Sequence, residues 1–219
     1  MEIEIYITVI LIGAIIWFVS KRYSGHLSSL MHQGFNVNKS NITKSIFYHE
    51  DDYLQVEIVP NENFKELISQ AENIKYFEGS NYTEDGYKDI IVRDEKEYLL
   101  KQREIDPKNL DIIFSKLSLD RSEEISTGII PGEFICKDTI GYGEDYNGIF
   151  FNYKTDYVTN IWVVGTPDVE KVNLIQVLNE IGVKWNLLLM DWNTLELIDL
   201  KSIEHIEKYL SENMLQQQS

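Results

Sequence analysis

The fold class follows from residues 148–165, which read Gly-Ile-Phe-Phe-Asn-Tyr-Lys-Thr-Asp-Tyr-Val-Thr-Asn-Ile-Trp-Val-Val-Gly. Two runs rich in β-branched and aromatic residues flank a polar turn at residues 154–156, and this composition predicts two antiparallel strands. An apolar helical pattern follows over residues 168–181, with Pro167 at its start and Gly182 at its end. The stretch therefore predicts a strand-turn-strand-helix unit.

The same unit is predicted at three other places. A hairpin precedes a helix at residues 45–59 and 61–74, at residues 89–104 and 106–117, and at residues 183–200 and 202–210. Because a hairpin with one helix buries too little to be stable alone, neighbouring units should share a sheet. We therefore expect an α+β fold of antiparallel sheets with helices on one face. The tandem units form two ββαββα lobes, residues 45–118 and 148–211, joined by a connector at 119–147, and the lobes either pack together or join into one longer sheet.

The two predicted lobes also resemble each other in sequence. Ile46-Phe47-Tyr48 in the first matches Ile149-Phe150-Phe151 in the second, and Asp52-Tyr53 matches Asp156-Tyr157. This recurrence favours an internal duplication, since self-similarity is the mark of a repeat. The alternative is that such residue matches arise without duplication in any isoleucine-rich chain that contains a series of hairpins and helices.

Composition and charge exclude several classes of protein. The chain has 219 residues with 43% apolar and 12% aromatic residues, which is enough to build a core and excludes wholesale disorder. Acidic residues number 36 against 20 basic ones, giving a net charge of −16, so a nucleic-acid partner is not expected. The single cysteine, Cys136, excludes an intrachain disulfide and a cysteine-based zinc site.

An uncharged apolar run predicts a membrane anchor at residues 1–22. A helix counted from residue 3 through the run would reach roughly 27 Å, close to the hydrocarbon thickness of a bilayer. Tyr6 and Trp17 lie near the ends of the run, where aromatic rings favour the membrane interface. Lys21 and Arg22 follow it, and the positive-inside rule places the remainder on the cytoplasmic side. We expect a single-pass protein of the inner or plasma membrane with a cytoplasmic C-terminal domain.

Two further segments complete the predicted organisation. Residues 23–44 combine a short juxtamembrane helix with a polar linker, because Leu27, Leu30 and Met31 share one side of the helix before a polar run begins. Residues 212–219 end in Gln-Gln-Gln-Ser and are expected to form a disordered tail.

No strong catalytic motif occurs in the sequence. Gly141-Tyr142-Gly143 is the only Gly-x-Gly, and the carboxylates of Glu144 and Asp145 that follow it would repel a phosphate. The acidic turn at residues 49–52 offers oxygen ligands for a hard cation, but it lacks the alternate spacing of a calcium loop. Cys136 has no histidine nearby and is expected to be a core residue rather than a nucleophile. We expect no cofactor, no metal and no enzymatic activity.

The predicted loops and turns combine acidic side chains with large aromatic ones. Aromatic anchors within a negative rim are typical of surfaces that bind a basic protein. The candidate partner-binding residues are Glu50, Asp51, Asp52, Tyr53, Glu144, Asp145, Tyr146, Asp156 and Tyr157.

These observations favour three classes of function. The first is a membrane-anchored, non-enzymatic binding protein of the immunity type, which neutralises a basic toxin or effector. The second is a docking subunit of a membrane-associated secretion, anti-phage defence or envelope complex. The third is a metal-dependent enzyme with a carboxylate site that no motif reveals. The two alanines and the abundance of Ile, Asn and Lys are usual in bacteria with AT-rich genomes.

Overall fold

The described part of the chain alternates short strands with helices. A computed structural model describes residues 45–83 and 86–216. In chain order the elements are β1 Ile46–His49, β2 Val56–Pro60, α1 Phe64–Asn81, β3 Tyr82–Thr83, β4 Gly86–Tyr87, α2 Pro107–Phe114, β5 Arg121–Ser122, β6 Ile125–Gly128, β7 Phe134–Cys136, β8 Thr139–Glu144, β9 Asn147–Lys154, β10 Tyr157–Val164, α3 Lys171–Trp185, β11 Leu187–Asp191, β12 Glu196–Asp199 and α4 Ile203–Gln216. Single 3-10 turns lie at Glu50–Asp52, Asn61–Asn63, Leu100–Arg103 and Ser115–Leu117.

Seven strands from both halves of the chain form one central sheet. Their order is β12-β11-β2-β10-β9-β8-β5, and all neighbouring pairs are antiparallel. Strand β2 lies between β10 and β11, with Ile58 opposite both Ile161 and Leu189. The predicted α+β class, with antiparallel sheets and helices, is therefore confirmed, and strands of both predicted lobes join in one sheet.

Helices α2, α3 and α4 cover one face of the central sheet. The Asp106 carboxylate caps α2 by accepting a hydrogen bond from the backbone N–H of Lys108, and Pro107 occupies the first turn. Phe114 of α2 meets Phe151 of β9 at 6.0 Å between ring centres, and Ile181 of α3 is buried in the same core. Each such side chain contributes about 1.5–3 kcal/mol on burial, so this layer holds the helices on the sheet.

The opposite face of the sheet is covered by two separate elements. Leu67 of α1 packs in a cluster with Leu188 of β11, so helices lie on both faces of the sheet and the prediction of helices on one face is wrong. A small sheet of order β1-β6-β7, in which β1 and β6 are parallel, packs Tyr48 against Trp162 of β10. Glu57 of β2 lies between these two covers, because its register neighbours are Trp162 on one side and Met190 on the other.

Two hairpins predicted in the first half of the chain do not form. Strands β1 and β2 belong to different sheets, so residues 45–59 are not a hairpin. Residues 89–104 contain the turn Leu100–Arg103 but no strand. Strand β2 has β10 on one side and β11 on the other, so the later segment cannot pair with it.

The segment predicted as a connector, residues 119–147, carries four strands. It contains β5, β6, β7 and β8, which extend the central sheet and complete the small one. A hairpin followed directly by a helix occurs twice among the described elements, as β9-β10-α3 and β11-β12-α4. The two halves therefore differ in arrangement, and the described elements give the predicted duplication no counterpart.

Several predictions concern the ends of the chain. The anchor at residues 1–22 and the linker at 23–44 lie outside the described residues, as do residues 217–219. Residues 212–216 of the predicted tail continue α4. Among the helices that the structure describes, none combines the length and the apolar content needed to cross a bilayer.

Candidate protein-binding site

The acidic turn, residues 50–53, follows β1 directly. Glu50–Asp52 form a single 3-10 turn, in which the backbone N–H of Asp51 donates to Nδ1 of His49 at 3.2 Å. The Asp51 side chain is 87% exposed, and Glu50 is exposed as well. The turn therefore holds the carboxylates of Glu50 and Asp51 in solvent, with Asp52 half-buried beside them, and this negative charge attracts a positively charged partner.

Tyr53 anchors the acidic turn to the central sheet. Its ring meets Trp162 edge to face at 5.1 Å, and its hydroxyl donates to Oδ1 of Asn152 at 3.2 Å. Asn160 donates back to the same hydroxyl at 3.3 Å. Burial, followed by the nearby Cys136 and Glu57, raises the pKa of Tyr53. With 37% of its surface exposed, this residue both fixes the turn and offers an aromatic edge.

The β8–β9 turn caps the outer edge of β1. The Asp145 carboxylate accepts a hydrogen bond from the backbone N–H of Phe47 at 2.8 Å, and the N–H of Tyr146 donates to the Phe47 carbonyl at 2.8 Å. The rings of Phe47 and Tyr146 pack edge to face at 5.1 Å. Asp145 and Tyr146 therefore hold β1 in place. Glu144, the third candidate residue of this turn, lies at the end of β8 and is exposed.

The last two candidate residues lie at the opposite end of β9, in the turn that leads into β10. Asp156 and Tyr157 follow β9, whose eight residues separate them from Tyr146. At about 3.3 Å per residue, the two turns are roughly 26 Å apart. The nine predicted residues therefore do not converge on one surface.

A segment that is predicted to form a hairpin but contains no strand lies next to the acidic turn. We call residues 88–99 the strap, because they cross the sheet face over Glu57. Nη1 of Arg93 donates to the Leu54 carbonyl at 3.2 Å, and its guanidinium lies 4.8 Å from the centre of the Trp192 ring. Lys96 pairs with Glu57 at 2.9 Å, and Glu57 is only 4% exposed.

The buried Glu57 carboxylate is the centre of this attachment. It also accepts a hydrogen bond from Nε1 of Trp192 at 2.8 Å. Burial lowers the pKa of the Arg93 guanidinium, and the charge of Glu57 opposes that shift. At the C-terminal end of the strap, Asn63 exchanges two hydrogen bonds with the backbone of Tyr98, at 2.8 and 3.0 Å. The strap is thus fixed at several points.

The outer side of the strap is apolar in its first half and acidic in its second. Ile90 and Val92 are 88% and 82% exposed, whereas Ile91 between them is 38% exposed. Asp94 and Glu95 follow and are exposed. Exposed aliphatic side chains beside exposed carboxylates are the composition expected of a surface that docks a basic, partly apolar partner.

A groove of about 400 Å³ runs beside the strap. Its walls come from α1, the strap and the turn after β11, and its apolar lining includes Ile74, Phe77, Ile91, Trp192 and Leu195. This volume lies within the range of sites that bury a ligand or a few side chains of a partner. The acidic turn, the strap and the groove therefore form the candidate site.

Other predicted features have structural explanations. Gly141 and Gly143 lie within β8, where a Cβ on Gly141 would meet the Phe150 ring at 2.7 Å and a Cβ on Gly143 would clash with the Asn147 carbonyl oxygen. Cys136 lies 3.6 Å from the Tyr48 hydroxyl, and burial raises the pKa of its thiol. Within residues 45–83 and 86–216, no group of three or more His, Cys, Asp or Glu could hold a metal ion.

Comparison with protein-family models, with curated proteins and with solved structures gives no match for this chain.

Proposed function

We propose that this protein is a non-enzymatic binding protein that binds a basic protein partner through the acidic turn and the strap. The observation that carries this proposal is the strap itself. Ile90 and Val92 stand in solvent beside exposed carboxylates, on a segment held in place by Arg93 and Lys96. Exposing aliphatic groups on a fixed segment costs free energy that a partner recovers on binding.

The charge balance of the surface supports a basic partner. Acidic residues outnumber basic ones by 36 to 20. Several of the basic side chains are already paired within the molecule, and these include Lys96, Arg103, Lys116 and Arg121. The field around the molecule is therefore negative, which steers cations towards it and repels acidic proteins.

The concrete form of the proposal is an immunity-type protein that neutralises a basic toxin or effector, held at the membrane by residues 1–22. The uncharged run supports the anchor, with Tyr6 and Trp17 at the interfaces. Lys21 and Arg22 support a cytoplasmic binding domain. A reporter fused after Ser219 should be active in the cytoplasm, and activity only outside it would reverse the orientation.

Site-specific photo-crosslinking in the source cells tests the binding surface. A photoreactive residue at position 92 of the full-length protein should capture a partner. The same residue at Ile112, which is 63% exposed on the outer side of α2, is the control. The captured protein should be basic, and its recombinant form should bind less tightly as salt is raised. Equal capture at both positions, or a partner of acidic character, would contradict the proposal.

A further inference from the structure

The strap has an unusual backbone environment. Residues 90–96 run without a bend, a turn or a helix, and no hydrogen bond joins their backbone to another backbone group in the part of the chain that the structure describes. Exposure alternates along the first four positions, since Ile90 and Val92 point outwards while Ile91 and Arg93 are partly covered. A period of two is the side-chain pattern of an extended strand.

We propose that the strap receives an extended segment of the basic partner as an added β-strand. This inference rests on the proposed function and specifies its binding mode. Unpaired N–H and C=O groups on an extended segment are a template for strand pairing, and backbone pairing of this kind supplies affinity in many peptide complexes. The partner segment that fits carries apolar residues alternating with Lys or Arg.

The attachments of the strap make this mode favourable. The Asn81 side chain donates to the Asp89 carbonyl at 3.1 Å, which fixes the N-terminal end. Arg93 and Lys96 fix the middle on Leu54 and Glu57. A segment already held in one conformation loses little entropy when a partner pairs with it, so more of the interaction energy appears as affinity.

The side chains of the added strand meet complementary surroundings. Its apolar residues can enter the groove beside Ile91 and Trp192 or cover Ile90 and Val92. Its basic residues lie near the exposed carboxylates at the end of the strap and in the acidic turn. A second copy of this chain fits less well, since two molecules that each carry a charge of −16 repel one another.

A pair of synthetic peptides tests the mode of binding on the full-length protein. The first is an extended peptide of alternating Val and Lys. The second has the same sequence and charge, but alternate backbone amides on its pairing edge are N-methylated. Losing two or three backbone hydrogen bonds should weaken binding by about tenfold or more, measured by fluorescence anisotropy. The first peptide should also slow amide hydrogen exchange at residues 90–96.

The outcomes separate this inference from the proposed function. Equal binding of both peptides, with no new protection in the strap, would overturn strand addition while leaving a basic partner in place. Binding of neither peptide at low salt would overturn both. Dimerisation of the protein alone that Val92→Asp abolishes would assign the strap to a second copy and overturn the inference. The control Ile112→Asp carries the same charge change on the other side of the sheet and should leave peptide binding unchanged.

Discussion

The pair formed by Lys96 and Glu57 should be strongly coupled, because it ties the strap to the sheet. At 2.9 Å and an effective dielectric constant of ~20, the two charges attract by about 6 kcal/mol before desolvation is counted. The Lys96 and Glu57 side chains are 23% and 5% exposed, so desolvation cancels much of this attraction. We expect about 2 kcal/mol of coupling to remain.

A double-mutant cycle with urea unfolding of the full-length protein measures this coupling. Lys96→Met keeps the apolar stem, and Glu57→Gln keeps an acceptor for the N–H of Trp192. Each single change should lower the free energy of unfolding by about 2–3 kcal/mol, and the double variant should lose less than their sum. Tryptophan fluorescence follows the transition.

An exposed pair in the same chain provides the control cycle. Lys208 and Glu212 approach to 4.0 Å on α4, with side chains 72% and 49% exposed. Their coupling, measured with Lys208→Met and Glu212→Gln, should be only about 0.3–0.5 kcal/mol. If the Lys96–Glu57 coupling were no larger than this, the strap would not be held by a buried ion pair, and the argument for its fixed conformation would be refuted.

Two further predictions concern packing and pH. Gly182→Ala should lower the free energy of unfolding by about 1–3 kcal/mol in the same urea assay, because a Cβ would lie 2.5 Å from the backbone of Leu200. In the control Gly79→Ala on α1, the Cβ meets nothing within 4 Å, so this change should be neutral or slightly stabilising. Equal effects of the two changes would argue against the helix–sheet packing. Burial raises the pKa of Tyr48 and Tyr209 above the usual 10.0, so the unfolded state loses protons first and the free energy of unfolding should fall as pH rises through about 10. Tyr209→Phe should make that fall shallower, and an unchanged slope would contradict the assignment.

The second half of the chain was predictable because its pairing is local. Strands β9 and β10 join through a short turn, and Leu187–Asp191 joins Glu196–Asp199 in the same way. Alternation of side chains and nearby turn residues are enough to predict such hairpins. The helices that follow them were predicted from their apolar spacing for the same reason.

The first half was mispredicted because its partners are distant in sequence. Val56–Pro60 pairs with strands about a hundred or more residues away, and its own sequence does not identify these partner strands. Residues 89–92 have the β-branched composition of a strand, but both neighbouring positions beside β2 are taken. The local sequence pattern predicts an extended backbone, whereas the order of strands in the sheet decides whether that backbone finds a partner strand.

The candidate site was predicted in part. The acidic turn and the exposure of Glu50 and Asp51 follow from the run of three carboxylates, Glu50–Asp52, although Asp52 is half-buried. The role of Asp145 as a cap on β1 could not be predicted, since its partner Phe47 lies 98 positions earlier. The strap was missed because Arg93 and Lys96 look like ordinary surface cations until the burial of Glu57 is known.

The association rate of the crosslinked partner tests the central claim, that the acidic turn and strap form the surface that grips a basic protein. Neutralising the turn with Glu50→Gln, Asp51→Asn and Asp52→Asn should slow association about threefold to tenfold at low salt, and the difference should shrink as salt rises. The matched control, Asp168→Asn, Glu204→Gln and Glu207→Gln, removes the same charge elsewhere and should have a much smaller effect. Equal rates for the two triple variants at every salt concentration would contradict the account.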